Sequence, residues 1–186
     1  MKTETTTSGL RDPEVQELLD KQSITEVLMR YCRGIDRLDL STIEAAFWPD
    51  AHDDHVVFSG SAPEFVKWVP SFIGNSESMS HMITNVLISF DSPIAARCES
   101  YVWTFQHHPD EQPGGLDVII TGRYLDRFAK RGREWRIADR ILTIDTQQRL
   151  PSTADWGPTG VLANLKTRGT RYPHDALYSR LLNVSF

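Results

Sequence analysis

An acidic side chain interrupts the apolar stripe of a predicted helix. Ile24, Leu28, Cys32 and Asp36 recur at intervals of four residues, so they share one helical face. Burying an unpaired carboxylate is costly, and Asp36 therefore needs a partner if this face meets the core. Otherwise its side chain caps the following turn or pairs at the surface with a neighbouring arginine.

A histidine would give this carboxylate a chemical role. His81 opens a β-type segment in which Ile83, Asn85 and Leu87 are the alternate residues. An aspartate bound to one ring nitrogen fixes the tautomer and stabilises the imidazolium, which makes the pair a general base near neutral pH. Spacing alone does not join His81 to Asp36, and a structural or surface histidine is the alternative.

Tyr31 lies on the apolar side of the same predicted helix. A tyrosine there is either a core residue with a satisfied hydroxyl or a hydrogen-bond donor in a binding pocket. In a pocket its hydroxyl would polarise a substrate carbonyl or protonate a departing hydroxyl.

The most polar cluster of the chain is His52, Asp53, Asp54 and His55. Alternation along a strand places Asp53 and His55 on one face, as two metal ligands would be. A metal site needs at least a third ligand, and Asp50 is the only other local one. We therefore expect a solvated strand entry without metal, with His55 as a polar pocket residue the alternative.

His107 and His108 have opposite orientations at the end of a predicted strand. Either one of them faces inward with the aromatic residues of that strand, Trp103 among them, or both are exposed in a hairpin loop. Further aromatic side chains, including Phe58 and Trp68, suffice either to line an apolar cavity or to fill one.

Four helix-start signals precede the strands that must position these groups. Asp12 before Pro13 predicts a first helix, and a capping box at Ser23 predicts a second start, for an amphipathic helix over residues 23–38. Capping boxes at Ser41 and Ser61 predict two further helices.

The second half of the chain is strand-like. Residues 81–90, 94–108, 117–129 and 134–146 are rich in β-branched and aromatic residues and are separated by turn signals. A short strand at about residues 53–59 lies between the second and third helices. This segregation predicts an α+β fold, with helices on one face of a curved antiparallel sheet.

Length and composition favour one ordinary globular domain without nucleic-acid or membrane partners. The 186 residues carry a net charge of −5, which argues against the basic face that nucleic acid requires. No stretch is long enough to span a membrane, and the polar N-terminus is unlike a secretory signal. The two cysteines are predicted to be buried free thiols, so the expected location is cytoplasmic.

The chain divides into three predicted regions. Residues 1–11 are expected to be disordered, residues 12–146 form the domain, and residues 147–186 are a C-terminal extension. The extension either covers a pocket mouth, crosses to a neighbouring subunit or is solvated. Phosphate-loop, dinucleotide and zinc signatures are absent from the sequence, and we expect no cofactor.

Four segments resemble the SnoaL-like proteins of the nuclear-transport-factor-2-like superfamily. They are the helix end at 31–39, the strand start at 80–85 and the late strands at 122–128 and 135–140. The resemblance implies a cone-shaped α+β barrel of the cystatin-like type, with the N-terminal helices on the concave face of the sheet. It is a weak guide to reaction, since one fold hosts many chemistries.

Within that superfamily the chain looks most like scytalone dehydratase, bile-acid dehydratase and lindane dehydrochlorinase. The resemblance implies that Asp36 and His81 are a catalytic pair and that Tyr31 matches a tyrosine of the dehydratases. His107 lies near a second histidine of scytalone dehydratase, and Arg140 matches an arginine of the dehydrochlorinase. The other expected pocket residues are His55, Phe58, Trp68, Asn85 and Trp103.

The preferred hypothesis is a cofactor-independent lyase, a dehydratase acting on a hydrophobic, cyclic small molecule. The same proton abstraction serves an isomerase or a polyketide-cyclase-like enzyme. Two other classes remain open: a non-catalytic module that binds a small ligand, and the small structural subunit of a ring-hydroxylating dioxygenase. The resemblance also implies a homo-oligomer, a trimer in the dehydratase branch and a dimer elsewhere.

Overall fold

Three α-helices and six strands make up most of the part of the chain that the structure describes. The computed structural model describes residues 12–109, 114–154, 159–165 and 167–182, so the predicted disorder of residues 1–11 lies outside it. The helices are α1 (Pro13–Arg37), α2 (Leu40–Ala46) and α3 (Ala62–Ile73). The strands are β1 (Phe47–Asp54), β2 (Ser59–Ser61), β3 (Ser78–Ser92), β4 (Ala95–His108), β5 (Leu116–Arg131) and β6 (Glu134–Pro151).

The first helix is continuous, and the predicted second start at Ser23 is wrong. Asp12 caps α1 by accepting a hydrogen bond from the Glu14 N–H. Ser23 lies in mid-helix, where its hydroxyl donates to the Leu19 carbonyl at 2.8 Å instead of capping a helix start. The capping box at Ser61 is confirmed, since Glu64 accepts hydrogen bonds from both its N–H and its hydroxyl.

The strands form one sheet in the order β2-β1-β6-β5-β4-β3. All neighbouring pairs are antiparallel except β1 and β6, which are parallel. The short strand predicted at residues 53–59 is instead divided between β1 and β2.

Bulges curve this sheet around the helices. The register shifts at Thr121/Gly122 in β5, where a side chain on Gly122 would collide with the Thr143 carbonyl. A second shift lies between Thr84 and Leu87 in β3, where Asn85 has a φ of 48°. The extra residues bend the strands, so that the concave face encloses one side of α1 and α3.

The core lies between this concave face and the helices. Ile24, Leu28 and Tyr31 of α1 pack with Phe65 of α3 and with the inward side chains of the sheet. None of the helices within the described residues combines the length and apolar character that crossing a membrane requires.

Candidate active site

The carboxylate of Asp36 binds His81 twice. Asp36 Oδ1 lies 2.6 Å from His81 Nδ1, and Asp36 Oδ2 accepts the His81 backbone N–H at 3.0 Å. The two side chains are 13% and 8% exposed. This arrangement fixes the ring plane and assigns Nδ1 to the carboxylate, which leaves Nε2 as the free ring nitrogen.

The C-terminal segment holds the helix end that carries Asp36. Arg171 donates from one guanidinium nitrogen to the Ile35 and Asp36 carbonyls at 3.4 Å, and from another to Ile73 O, Ser76 O and Ser76 Oγ at 3.2, 2.9 and 2.7 Å. It thus joins the end of α1 to the end of α3. Residues 167–182 therefore pack beside the site, although whether the extension covers the pocket mouth remains a prediction.

His81 faces an apolar cavity between α1, α3 and the concave sheet. The space between its walls, including the mouth, is about 560 Å³. Its polar lining side chains are Tyr31, His55, His81, Thr104, Gln106 and Tyr124. The apolar ones are Ile35, Phe65, Trp68, Val69, Phe72, Ile73, Met79, Val102, Ile120, Leu142 and Ile144.

A second aspartate–histidine pair lies at another wall of this cavity. His55 Nδ1 is 2.9 Å from Asp53 Oδ1, and the Asp53 side chain is fully buried. The His55 ring packs on Phe65 and Tyr124, with centroids 4.9 and 6.0 Å apart. The expected solvated strand entry is therefore wrong at these two residues, because β1 lies inside the sheet between β2 and β6.

Arg140 lies behind the cavity and does not line it. Its guanidinium makes two hydrogen bonds of 2.7 Å to Asp126, and it stacks on the rings of Tyr31 and Tyr124 at 4.2 and 3.9 Å. Burial opposes the Arg140 cation, but the Asp126 carboxylate outweighs it and raises the pKa of Arg140 well above its ordinary value. Arg140 thus remains a cation beneath the two tyrosines.

Burial keeps both tyrosines neutral. It raises the pKa of Tyr31 and of Tyr124 well above the ordinary value, and the nearby Asp53 charge adds to the effect, although Arg140 opposes it. Tyr31 therefore presents a phenol rather than a phenolate to the cavity.

Four of the predicted site residues, Tyr31, His55, Trp68 and His81, line the cavity, and Asp36 stands behind His81. Phe58 does not line it: its ring packs on Phe65 and Trp68 from outside the wall, at 5.6 and 5.3 Å.

Three predicted pocket residues of β3 and β4 point elsewhere. The bulge at Thr84/Leu87 breaks the alternation that would bring Asn85 to the side of His81, so Asn85 is exposed. Trp103 alternates with the cavity-lining residues of β4 and faces the outer side of the sheet. His107 is buried away from the cavity, 2.7 Å from Asp117 Oδ1.

Sequence reasoning missed two further features of the site. Thr104 lies opposite His81 on the neighbouring strand, and its buried hydroxyl has no hydrogen-bond partner among the described residues. Strand alternation predicted that Asp53 and His55 share one face, but it did not predict that the pair is buried. In the described parts of the chain no cluster of three metal-type side chains occurs.

The helices on the concave face of an open, curved sheet define an α+β protein with the cystatin-like, nuclear-transport-factor-2-like fold. Residues 16–141 match the family model of the SnoaL-like domain, and the chain therefore belongs to that family. The predicted fold class and family are confirmed. A search of curated protein sequences gave no significant match.

Solved structures share the fold at low sequence identity. A candidate scytalone dehydratase from Novosphingobium aromaticivorans is 20% identical, with a TM-score of 0.66 over 76% of this chain and 93% of its own. A hexachlorocyclohexane dehydrochlorinase from Novosphingobium barchaimii is 15% identical, with 0.68 over 78% and 99%. A cystatin-like protein of unknown function from Nostoc punctiforme is 19% identical, with 0.57 over 68% and 92%.

Proposed function

We propose that the protein is a cofactor-independent lyase in which His81, oriented by Asp36, removes a proton from a carbon of a hydrophobic cyclic substrate. The observation that carries this proposal is the double contact between Asp36 and His81 at the wall of an apolar cavity. A histidine whose Nδ1 is held by a carboxylate presents a basic Nε2 to whatever occupies the cavity.

The proposed reaction is a β-elimination. His81 Nε2 takes a proton from the carbon next to a carbonyl, and the carbon–oxygen bond one carbon further breaks. A double bond forms between the two carbons, and the departing hydroxide takes up a proton from an acid in the site or from solvent and leaves as water. Tyr31 donates a hydrogen bond to the carbonyl oxygen, where negative charge develops. Its raised pKa suits this role, because the phenol stays protonated at any pH at which His81 acts.

The walls favour a small apolar substrate. Most lining side chains are aliphatic or aromatic, as in sites that bind small apolar ligands. The dehydratase and dehydrochlorinase names of two structural neighbours support an elimination on a ring, although each name describes that protein only.

A panel of two hydroxylated ketones, β-hydroxycyclohexanone and scytalone, tests the proposal. We expect His81→Asn and Asp36→Asn to lower kcat/KM by about 10²–10⁴-fold with the fold intact, since this is the usual contribution of a general base. His52→Asn is the matched control, because His52 lies on β1 with its side chain half exposed and outside the cavity. Product analysis separates elimination from isomerisation, and binding of both ketones without turnover would favour the ligand-binding module.

We also propose that the chain forms a homo-oligomer through the outer face of the sheet. Met82, Tyr101, Leu125 and Ile141 are exposed there on four adjacent strands, next to Trp103. An apolar patch that crosses a sheet is typical of a protein interface. The proposed location is cytoplasmic, supported by two buried cysteines that remain free thiols.

A further inference from the structure

The cavity contains two histidines, and their surroundings differ in charge. Both bind a carboxylate through Nδ1, His81 to Asp36 and His55 to Asp53. In both, Nε2 is the ring nitrogen left for the cavity that they line together. The sheet order places β1 and β3 apart, separated by β6, β5 and β4, so the two rings approach the cavity from different walls.

The neighbours of His55 form a buried charge cluster across three adjacent strands. Asp53 of β1 is the register partner of Arg140 in β6, and Arg140 is the register partner of Asp126 in β5. All three are buried, and Asp126 and Arg140 share two hydrogen bonds. The two rings that pack on His55, Phe65 and Tyr124, are neutral, and so is Tyr31, which lines the same cavity.

The charges of this cluster balance when His55 carries a proton. Two carboxylates face one guanidinium, which leaves one buried negative charge for a proton on His55 to neutralise. A net charge in a buried cluster is costly. The low local dielectric also strengthens the attraction between the buried negative charge and a proton on His55.

The Asp36–His81 pair differs because a cation binds the backbone of its aspartate. The Arg171 guanidinium donates to the Asp36 backbone carbonyl at 3.4 Å, and the Asp36 charge acts favourably on it from a distance. Arg37, in the same turn of α1, pairs with Asp175 at 3.7 Å. The Arg171 cation thus partly offsets the Asp36 charge.

We infer that His55, held by Asp53, is the acid that protonates the departing hydroxyl while His81 takes the proton from carbon. The inference rests on the proposed function and adds a second catalytic group to it. His81 Nε2 gains the carbon-bound proton, the carbon–oxygen bond breaks, and the oxygen takes the proton from His55 Nε2 and leaves as water. Solvent then removes the proton from His81 and returns one to His55. Asp53 is a positioning residue, acting only through His55.

The test compares two ketones that differ in their leaving group. β-Hydroxycyclohexanone needs a proton on the departing oxygen, whereas acetate leaves β-acetoxycyclohexanone as a stable anion. We expect His55→Asn, whose amide can still donate to Asp53, to slow loss of water by about 10²–10⁴-fold and loss of acetate by less than about tenfold. His81→Asn is expected to slow both reactions and the control His52→Asn neither.

The outcomes distinguish this inference from the proposed function. An equal effect of His55→Asn on the two leaving groups, or no effect, overturns the assignment of the acid while the role of His81 stands. No effect of His81→Asn contradicts the proposed function itself. For the positioning role, Asp53→Asn is expected to move the alkaline limb of the kcat profile for β-hydroxycyclohexanone to lower pH with KM unchanged. An unmoved limb overturns that role.

Discussion

Asp36 is the residue that orients the proposed base, because its two carboxylate oxygens both contact His81. A carboxylate that accepts both the ring N–H and the backbone N–H of one residue holds that ring in one orientation. The pair also couples two elements, since Asp36 lies in the last turn of α1 and His81 near the start of β3. A small movement of either α1 or β3 would therefore displace the His81 ring.

The two cysteines illustrate how burial decides the chemistry of a residue. Burial raises the thiol pKa of Cys32 and of Cys98 from 9.0 to about 12, so neither forms the reactive thiolate near neutral pH. We expect iodoacetamide at pH 8 to label the folded protein far more slowly than the urea-unfolded chain, as measured by mass spectrometry. Labelling at equal rates would contradict this.

The same raised values predict a loss of stability in alkali. The thiols of the unfolded chain ionise first, so the stabilisation is fully present below pH 9.0 and is lost as the pH rises through the folded values.

At the level of elements, one carboxylate joins α1 to the β5–β6 hairpin. Asp20 Oδ1 accepts hydrogen bonds from Gln16, from Lys130 at 2.7 Å and from the Trp135 indole at 2.8 Å. Burial opposes ionisation of Asp20, but the bonds from Lys130 and Trp135 outweigh it and hold its pKa below 3.8.

Asp20→Asn is therefore expected to lower the free energy of unfolding by an amount that depends on pH. A folded pKa below the unfolded value stabilises the protein above about pH 4, and the effect is lost as the pH falls through the folded value. We expect the variant to be less stable by about 1–3 kcal/mol at pH 7 and the difference to shrink near pH 3, by urea unfolding. A difference that stays constant with pH would show that the Asp20 charge plays no part.

The elements also show which features the sequence could predict. The Ser61 capping box and the four long strands follow from local patterns that tertiary packing leaves intact. Ser23 could not be assigned correctly, because a serine that starts a helix and one that back-bonds within it have the same sequence neighbours. The prediction for Asn85 was wrong for a different reason. A bulge arises from the pairing of two strands, so the sequence of one strand does not show it, and it reverses the alternation of the residues that follow.

The residues of the site, like the elements of the fold, could be predicted only in part. Family resemblance joined Asp36 to His81, which spacing alone did not. The burial of Asp53 depends on β6 lying beside β1, a pairing between distant segments that no local pattern reports. The sequence predicted an antiparallel sheet, so the parallel pairing of β1 with β6 and the second histidine pair beside it were not foreseen.

At the scale of the whole molecule, the outer face of the sheet is the part that the fold leaves unpartnered within the described residues. We expect the wild type to be an oligomer and Leu125→Lys to dissociate it, because a charge would be buried at the interface. Light scattering after size exclusion measures both. Leu19→Lys, at a similarly exposed leucine of α1, is the control. A monomeric wild type, or equal effects of the two variants, would contradict this assignment.

The most direct test of proton abstraction by the Asp36–His81 pair is hydrogen exchange at the α-carbon of cyclohexanone in D₂O, measured by NMR. Exchange needs only a base and a carbonyl donor, so it does not depend on knowing the leaving group. We expect the wild type to accelerate exchange, His52→Asn to retain this rate and His81→Asn to reduce it by about 10²-fold or more. Exchange by His81→Asn at the wild-type rate, or no acceleration by the wild type, would contradict proton abstraction by the Asp36–His81 pair.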